Sequence, residues 1–214
     1  KLSIGGETVW SRKMPADMFT LSPRDIKIKN AKLWWPRGYG ESPLYVFEAS
    51  LLSPDGKLLD SKRINVGLRT VNLKRSDVFK NGDKGEFAFY VNGRKIYIKG
   101  TNWVPLDALH SRDPQHLHKT LEMAVDLNCN MLRCWGGNVY ESDAFYDFCD
   151  KNGILIWQDF SLACTTPPQD DDFAKAMEIE ARSVVERLRH HPSLALWAGN
   201  NENDSSFYWL FNSN

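Results

Sequence analysis

The second half of the sequence alternates short apolar runs with amphipathic stretches, and this alternation limits the possible folds more than any other feature. Three runs have the length of a strand and lack a polar face: NMLRCW (130–135), ILIWQDF (154–160) and LALWA (194–198). The stretches that precede them carry apolar residues at helical spacing: 113–128, 142–153 and 171–190. Alternation of this kind predicts a parallel sheet with helices packed on it.

Residues at the ends of the amphipathic stretches predict the helix boundaries. The first helix is expected to have Asp113 as its N-cap and Pro114 at its first helical position. The second is expected to begin at Ser142 and to stop at Gly153. The acidic run 170–172 comes at the start of the third helix, where capping and the helix dipole favour negative charge. We therefore interpret this run as a cap and not as a metal site.

The first 78 residues have the pattern of a β domain. The run LYVFEASLL (44–52), the turn signal SPDG (53–56) and residues 57–73 predict a hairpin. The run DIKIKNAKLWW (25–35) alternates apolar and polar residues and is predicted to be a further strand. Only four or five such strands can be counted, fewer than the roughly seven of a complete β-sandwich, so we expect a partial one.

A second hairpin is predicted within EFAFYVNGRKIYIKG (86–100), because Asn92-Gly93 separates two alternating runs. The parallel sheet that follows is compatible with two architectures, an open doubly wound sheet or the first half of an eight-stranded barrel. No G-x-G-x-x-G or Walker sequence follows a strand, which disfavours a nucleotide-binding sheet.

Composition excludes several partners. Lys and Arg together number 27 and so do Asp and Glu, which argues against electrostatic capture of nucleic acid or of an anionic membrane. No apolar run approaches the roughly 20 residues that span a bilayer. The four cysteines lack metal-ligand spacing and are interpreted as buried thiols: Cys129, Cys134, Cys149 and Cys164.

The carboxyl ends of the predicted strands are the places where α/β folds bind ligands, and each carries a tryptophan beside a hydrogen-bonding side chain. These ends are Thr101-Asn102-Trp103, Arg133-Cys134-Trp135, Trp157-Gln158-Asp159, and Trp197 followed by Asn200-Asn201-Glu202-Asn203. A pyranose stacks its apolar face on an aromatic ring, and its hydroxyl groups need amide, carboxylate or guanidinium partners. The strand ends therefore predict carbohydrate recognition, with core packing of the tryptophans as the alternative.

Cleavage of a glycosidic bond needs a carboxyl group that protonates the leaving oxygen. Glu202 is the candidate because it lies just past the fourth strand between two asparagines; the alternative is a solvated loop glutamate. Arg133 is a candidate partner for a buried carboxylate, or else one half of a surface ion pair. Asp159 is a candidate for binding hydroxyl groups or orienting Arg133, with a loop cap as the alternative.

Nearly the whole chain from residue 32 onward resembles glycoside hydrolase family 2, and within that family the β-mannosidases. The segments that carry the resemblance are KLWWPRGYGESPLY (32–45), VGLRTVNL (66–73), FYVNGRKIYIKGTNWVP (89–105), NMLRCWGGNVYESDAFYDFCDKNGILIWQDF (130–160) and HHPSLALWAGNNEND (190–204). Its most specific parts are the sequences WGG, GILIWQDF and WAGNNEN.

The resemblance implies a partial immunoglobulin-like β-sandwich in residues 1–78, followed in residues 79–214 by the first four βα units of a TIM (β/α)8 barrel. It also implies retaining hydrolysis of terminal, non-reducing β-D-mannose, without a cofactor or a metal. Glu202 then matches the family's acid/base residue, and Asn201 the residue that contacts the sugar 2-hydroxyl. The other implied site residues are Arg133 as support for the nucleophile, Trp135 and Asp159 in the sugar subsite, and Asn102 and Trp103 at its edge.

The family's nucleophile is a second glutamate near the end of the seventh barrel strand, and this sequence stops after the fourth. We therefore expect a fragment that is inactive alone and that self-associates through the exposed edges of a half-barrel. The resemblance implies a β-mannoside or oligosaccharide as substrate and favours a secretory route. Two alternatives stay open: a non-catalytic carbohydrate-binding or interaction module, and a family 2 glycosidase with a different sugar specificity.

Overall fold

The computed structural model describes residues 1–16, 26–76 and 85–211. Its strands are β1 (Leu2–Ile4), β2 (Glu7–Trp10), β3 (Tyr45–Leu52), β4 (Leu58–Val66), β5 (Val71–Arg75), β6 (Phe87–Val91), β7 (Arg94–Ile96), β8 (Gly100–Trp103), β9 (Met131–Cys134), β10 (Leu155–Asp159) and β11 (Leu194–Ala198). Its α-helices are α1 (Asp113–Asp126), α2 (Asp143–Asn152), α3 (Asp171–Leu188) and α4 (Asn203–Phe211). Across the described residues, every helix is too short or too polar to span a bilayer.

The N-terminal strands form an antiparallel sheet in the order β2-β1-β3-β4. The predicted hairpin is confirmed, since β3 pairs with β4 and the turn between them closes through a hydrogen bond from Ser53 N to Lys57 O. The strand predicted at 25–35 is wrong where the structure describes it, in residues 26–35; Asp25 lies outside the described residues. The physical reason is Trp34, whose amide and indole N–H groups are used by two distant segments, at Leu68 O and Asp150 O.

A three-stranded antiparallel sheet, β5-β6-β7, joins the two halves of the sequence. The hairpin predicted at Asn92-Gly93 is confirmed, with both residues at positive φ, 49° and 79°. The pairing of β5 with β6 was not predicted, because these strands are not joined by a short turn. The domain boundary predicted between residues 78 and 79 lies outside the described residues and stays a prediction.

The third sheet is parallel, in the order β11-β10-β9-β8. Its first strand lies later than predicted: Thr101, Asn102 and Trp103 are part of β8 and do not follow it. Pairing of this strand with β9 begins at Gly100, where a Cβ would lie 2.1 Å from Met131 O, so only glycine lets the two backbones come this close.

The α-helices α1, α2 and α3 pack on one face of the parallel sheet and form a single core with it. That core contains Leu121, Ala124, Leu132, Cys134, Phe145, Tyr146, Cys149, Ile154, Ile156, Val184 and Leu188. A doubly wound sheet carries helices on both faces, whereas these three described helices share one face, as in part of a barrel. The predicted ends of α2 are confirmed at Ser142 and Gly153. Asp113 is not the N-cap of α1 but its first residue, and its carboxylate instead accepts from Asp107 N.

In the described residues, the opposite face of the sheet packs against the β6–β7 hairpin. There, Met131 of β9 and Leu155 of β10 pack with Phe89 and Ile96 of the β6–β7 hairpin. Side chains two residues apart in a strand share a face. The positions that follow Met131 and Leu155 on this face are Arg133 and Trp157. Trp157 packs against the same cluster, with its ring 6.0 Å from that of Phe87, and both Arg133 and Trp157 stay partly exposed.

Candidate active site

Three of the predicted site residues contact a fourth, Arg133, which projects from β9 on the face opposite the helices. Its Nη2 and Nε donate to the two oxygens of Asp159 over 2.6 and 3.3 Å. Its Nη2 also donates to Asn201 Oδ1 over 2.7 Å, and its Nη1 reaches Asn102 Oδ1 at 3.4 Å. Because a guanidinium has only donors, these bonds fix the amide oxygen of Asn201 toward Arg133.

Asp159 is the buried anion of this group. The residue is 0% exposed, and its Oδ2 also accepts from the backbone N–H of Gly136 at 3.2 Å. A buried carboxylate needs a charged partner and hydrogen bonds to compensate for lost hydration, and Arg133 and Gly136 supply both. Asp159 thus fixes the position of the Arg133 guanidinium, which in turn fixes the side-chain amide of Asn201.

Asn201 and Glu202 are placed by the segment that follows β10. Asn201 N donates to Leu162 O, and Cys164 N donates to Asn201 O, both over 2.8 Å. This continues the parallel pairing of β10 and β11 past the ends of the two strands, with a bridge between Ala163 and Asn201. These hydrogen bonds therefore hold the chain at Asn201 after β11 ends.

Glu202 has a left-handed backbone conformation, with φ of 56°, which is rare for a residue with a side chain. Cys164, which faces it, has φ of 49°. Glu202 is exposed, and its Oε2 lies 3.8 Å from Cys164 Sγ, while Asn201 Nδ2 lies 3.3 Å from the same sulfur. Strained backbone of this kind persists where the surrounding structure holds it, and functional sites are its usual location.

The predicted tryptophans do not all reach this group. Trp103 is 3% exposed, packs in the helix-side core and donates its indole N–H to Glu141 Oε1. Trp135 is half-buried, in the turn whose Gly136 N–H binds Asp159. The proposed contact of Trp103 with a sugar stays a prediction.

Two side chains of the site had no role assigned to them from the sequence: Trp157, which was noted only as a strand-end tryptophan, and Cys164. Trp157 lies with its ring 5.8 Å from the Arg133 guanidinium carbon, on the same face as Asp159. Its position two residues before Asp159 in a strand was the signal for it. Cys164 was missed because its contact with Asn201 and Glu202 depends on a loop whose path no local pattern predicts.

The interpretation of the cysteines as buried thiols holds for three of them and is wrong for Cys164, which is exposed. Burial raises the pKa of the Cys134 and Cys149 thiols well above the usual value, so they carry almost no reactive thiolate near neutral pH. We expect a thiol reagent to label Cys164 first in the native protein. Peptide mapping after brief alkylation measures this. A Cys164→Ser variant is the control, and fast labelling of Cys134 would contradict the described packing.

A second cluster of ionisable side chains lies away from Arg133. It consists of Asp147, Asp150 and His191, whose possible metal-ligand atoms lie within 4.8 Å of one another. Asp150 already accepts from His191 Nδ1 at 2.7 Å and from Ser193 N at 3.0 Å. Burial lowers the pKa of Arg69, and the charge of Asp150 opposes that shift. These contacts give the group a structural role, since Trp34 of the N-terminal half also donates to Asp150 O.

Comparison with known proteins agrees with this architecture. The sequence profile of glycosyl hydrolases family 2 matches residues 5–69, and that of the family's TIM barrel domain matches residues 84–210. The β-mannosidase of Bos taurus is 41% identical over 185 residues, which are 85% of this chain and 21% of that protein. β-Mannosidase B of Aspergillus niger is 41% identical over 180 residues, 83% of this chain and 21% of that protein.

Among solved structures, the β-D-mannosidase of Dictyoglomus thermophilum superposes with a TM-score of 0.76 at 43% identity, covering 82% of this chain and 22% of that one. The matches confirm the predicted fold class, a β-sandwich domain followed by part of a TIM barrel domain. The chain spans about a fifth of the length of the curated relatives that it matches.

Proposed function

Because the chain belongs to the glycosyl hydrolases of family 2, we propose that the full-length protein is a retaining β-mannosidase that removes terminal, non-reducing β-D-mannose. The observation that supports this most is the convergence of Arg133, Asp159 and Asn201 at the carboxyl ends of three neighbouring barrel strands, next to Glu202. β-Mannosidases that are 41–43% identical to this chain over the matched residues support the choice of sugar.

The contacts of Arg133 support the first of the proposed roles, and the family resemblance supplies those of Glu202 and Trp135. Arg133 fixes the oxygen of the Asn201 amide, so the amide nitrogen is the group that can donate to a sugar hydroxyl. Glu202, the next residue, protonates the glycosidic oxygen as the bond breaks and then deprotonates the incoming water. Trp135 offers an aromatic face to the apolar side of the sugar.

The nucleophile is proposed to lie outside these 214 residues. In a retaining enzyme the two carboxyl groups are about 5–5.5 Å apart, and the second must be free to attack the anomeric carbon. Asp159 is the other carboxylate of this site that could be considered as the nucleophile, but Arg133 binds both of its oxygens. A residue locked in this way positions other groups and is a poor nucleophile.

We expect the full-length protein to hydrolyse 4-nitrophenyl β-D-mannoside, and the 214-residue chain alone to show no turnover. The isolated chain is also expected to self-associate, because β8 and β11 are each paired on one side only within the described sheet. Light scattering on the same sample measures this. Turnover by the isolated chain, or a monomer, would contradict the corresponding proposal.

A panel of aryl glycosides decides the sugar specificity of the full-length protein. Preference for a β-glucuronide, β-galactoside or β-glucosaminide over the mannoside would replace the proposed substrate while keeping the family. Calorimetry with mannose tests the non-catalytic alternative, which predicts binding without turnover by the full-length protein.

A further inference from the structure

We propose that Gly137 is a positioning residue: it has no side chain, and this lets the Trp135 indole fold back over the turn and stand as a fixed wall of the site. The kinetic part of this inference rests on the proposed function, whereas its structural part does not. Gly137 lies in the turn that leaves β9, closed by a hydrogen bond of 3.0 Å from Asn138 N to Trp135 O.

The need for glycine at this position comes from space and not from backbone conformation. The φ of Gly137 lies outside the left-handed region, so any residue could adopt its backbone. A Cβ built there would lie 2.1, 2.3 and 2.4 Å from three carbons of the Trp135 ring, Cη2, Cζ2 and Cζ3. The outer edge of the indole therefore occupies the volume that a methyl group would take.

The turn itself is held too firmly to move aside. Trp135 N donates to Trp103 O at 3.1 Å, and Gly136 N donates to Asp159 Oδ2 at 3.2 Å. Asn138, which ends the turn, is buried and its Nδ2 reaches Glu141 Oε1 at 3.4 Å. With the backbone anchored from both sides, a side chain at residue 137 has to displace the half-buried indole ring.

Gly136 differs from Gly137 in a way that separates their roles. A Cβ at Gly136 would meet backbone oxygens, Phe160 O at 2.7 Å and Leu162 O at 2.6 Å. Substitution there strains the backbone next to Asp159 and damages the fold. At Gly137 the three nearest atoms all belong to the Trp135 side chain, so substitution there is expected to act through the position of the ring.

The expected displacement is large enough to measure. Carbon atoms in contact are about 3.5–4.0 Å apart, so the ring has to shift by about 1.5 Å to accommodate one methyl group. Loss of a well-placed aromatic wall removes binding that the ground state and the transition state share, which raises KM and leaves kcat nearly unchanged. We expect the KM of the full-length protein for aryl β-mannoside to rise about tenfold in Gly137→Ala, the upper range for a single aromatic contact.

The matched control is Gly40→Ala. Gly40 also lies against a tryptophan ring, with a Cβ that would be 2.8 Å from Trp35 Cδ1, but in the N-terminal half of the chain. The Gly40→Ala substitution is expected to disturb packing without changing KM. A tenfold rise in KM for both variants would show that general loosening of the protein is the cause, and would overturn the inference.

A double-mutant cycle shows whether Gly137 acts through Trp135. In a Trp135→Ala background the ring is absent, so Gly137→Ala is expected to change KM by less than twofold. The same cycle covers the case in which Gly137→Ala fails to fold, because Trp135→Ala/Gly137→Ala should then restore the melting temperature of Trp135→Ala. An undiminished effect of Gly137→Ala in that background contradicts the inference.

A crystal structure of full-length Gly137→Ala separates this inference from the proposed function. If the wild-type protein does not hydrolyse β-mannoside, the proposed function fails, and the position of the ring still decides the role of Gly137. We expect the indole to be displaced by more than 1 Å. An indole that stays in place over the new methyl group, with the turn moved instead, would overturn the proposal.

Discussion

Replacing Glu202 with glutamine in the full-length protein is expected to lower kcat/KM for β-mannosides with poor leaving groups by about 10²–10⁴-fold. Glutamine keeps the size and the hydrogen-bonding capacity of the side chain but has no proton to give. Glu202 directly follows Asn201, which Arg133 holds at 2.7 Å, and its carboxylate contacts the same Cys164 sulfur as the Asn201 amide.

The dependence on the leaving group identifies the role of Glu202 in particular. Dinitrophenolate departs without protonation. The rate of bond cleavage in Glu202→Gln should therefore fall far less for dinitrophenyl mannoside than for an alkyl mannoside such as the methyl mannoside. Glu178→Gln, an exposed site on α3, is the matched control and should leave the kinetics unchanged. An equal loss for all leaving groups would mean that Glu202 binds or positions the substrate and is not its acid.

Replacing Asp159 with asparagine is expected to have the second-largest effect, because it leaves the Arg133 guanidinium without its anion. Removal of one partner of a buried ion pair costs about 3–5 kcal/mol of stability. Asp159 is 0% exposed but the Arg133 side chain is 27% exposed. We therefore expect a loss of about 3 kcal/mol in the free energy of unfolding, the lower end of this range. Activity should fall as well, since nothing then fixes Arg133 toward Asn201.

Chemical denaturation of the full-length variant measures this loss, with Glu178→Gln as the control. The Glu178–Arg182 pair is about two-thirds exposed on both sides, and exposed helical pairs contribute roughly 0.5 kcal/mol or less. If Asp159→Asn and Glu178→Gln destabilised the protein equally, the buried carboxylate would not have the supporting role that its contacts indicate.

Local patterns were sufficient to predict most of the fold. The Asn92-Gly93 turn and the capping residues Asp170 and Gly153 act on neighbours within a few residues, and the structure has each of them where it was predicted. The carboxylate of Asp170 accepts from Phe173 N at 2.8 Å, which confirms the acidic run as a cap. Such interactions depend on residues that lie close together in the sequence and only weakly on the rest of the chain.

The failures are places where distant contacts decide the local structure. Residues 26–35 alternate like a strand, but Trp34 is fully buried and held by Asp150, 116 positions later. Cys164 was taken for a buried thiol, but the bridge between Ala163 and Asn201 brings it to the surface of the site. In both cases tertiary contacts override a local pattern that is otherwise reasonable.

The central claim is that Glu202 donates the proton in a retaining β-mannosidase site, and azide rescue of full-length Glu202→Ala tests it most directly. With dinitrophenyl β-mannoside the mannosyl-enzyme still forms, but water attacks slowly because no base remains. Azide needs no base, so it should attack the anomeric carbon, release the enzyme carboxylate, restore turnover and give β-mannosyl azide. No rescue, or the α-azide as product, would contradict the account.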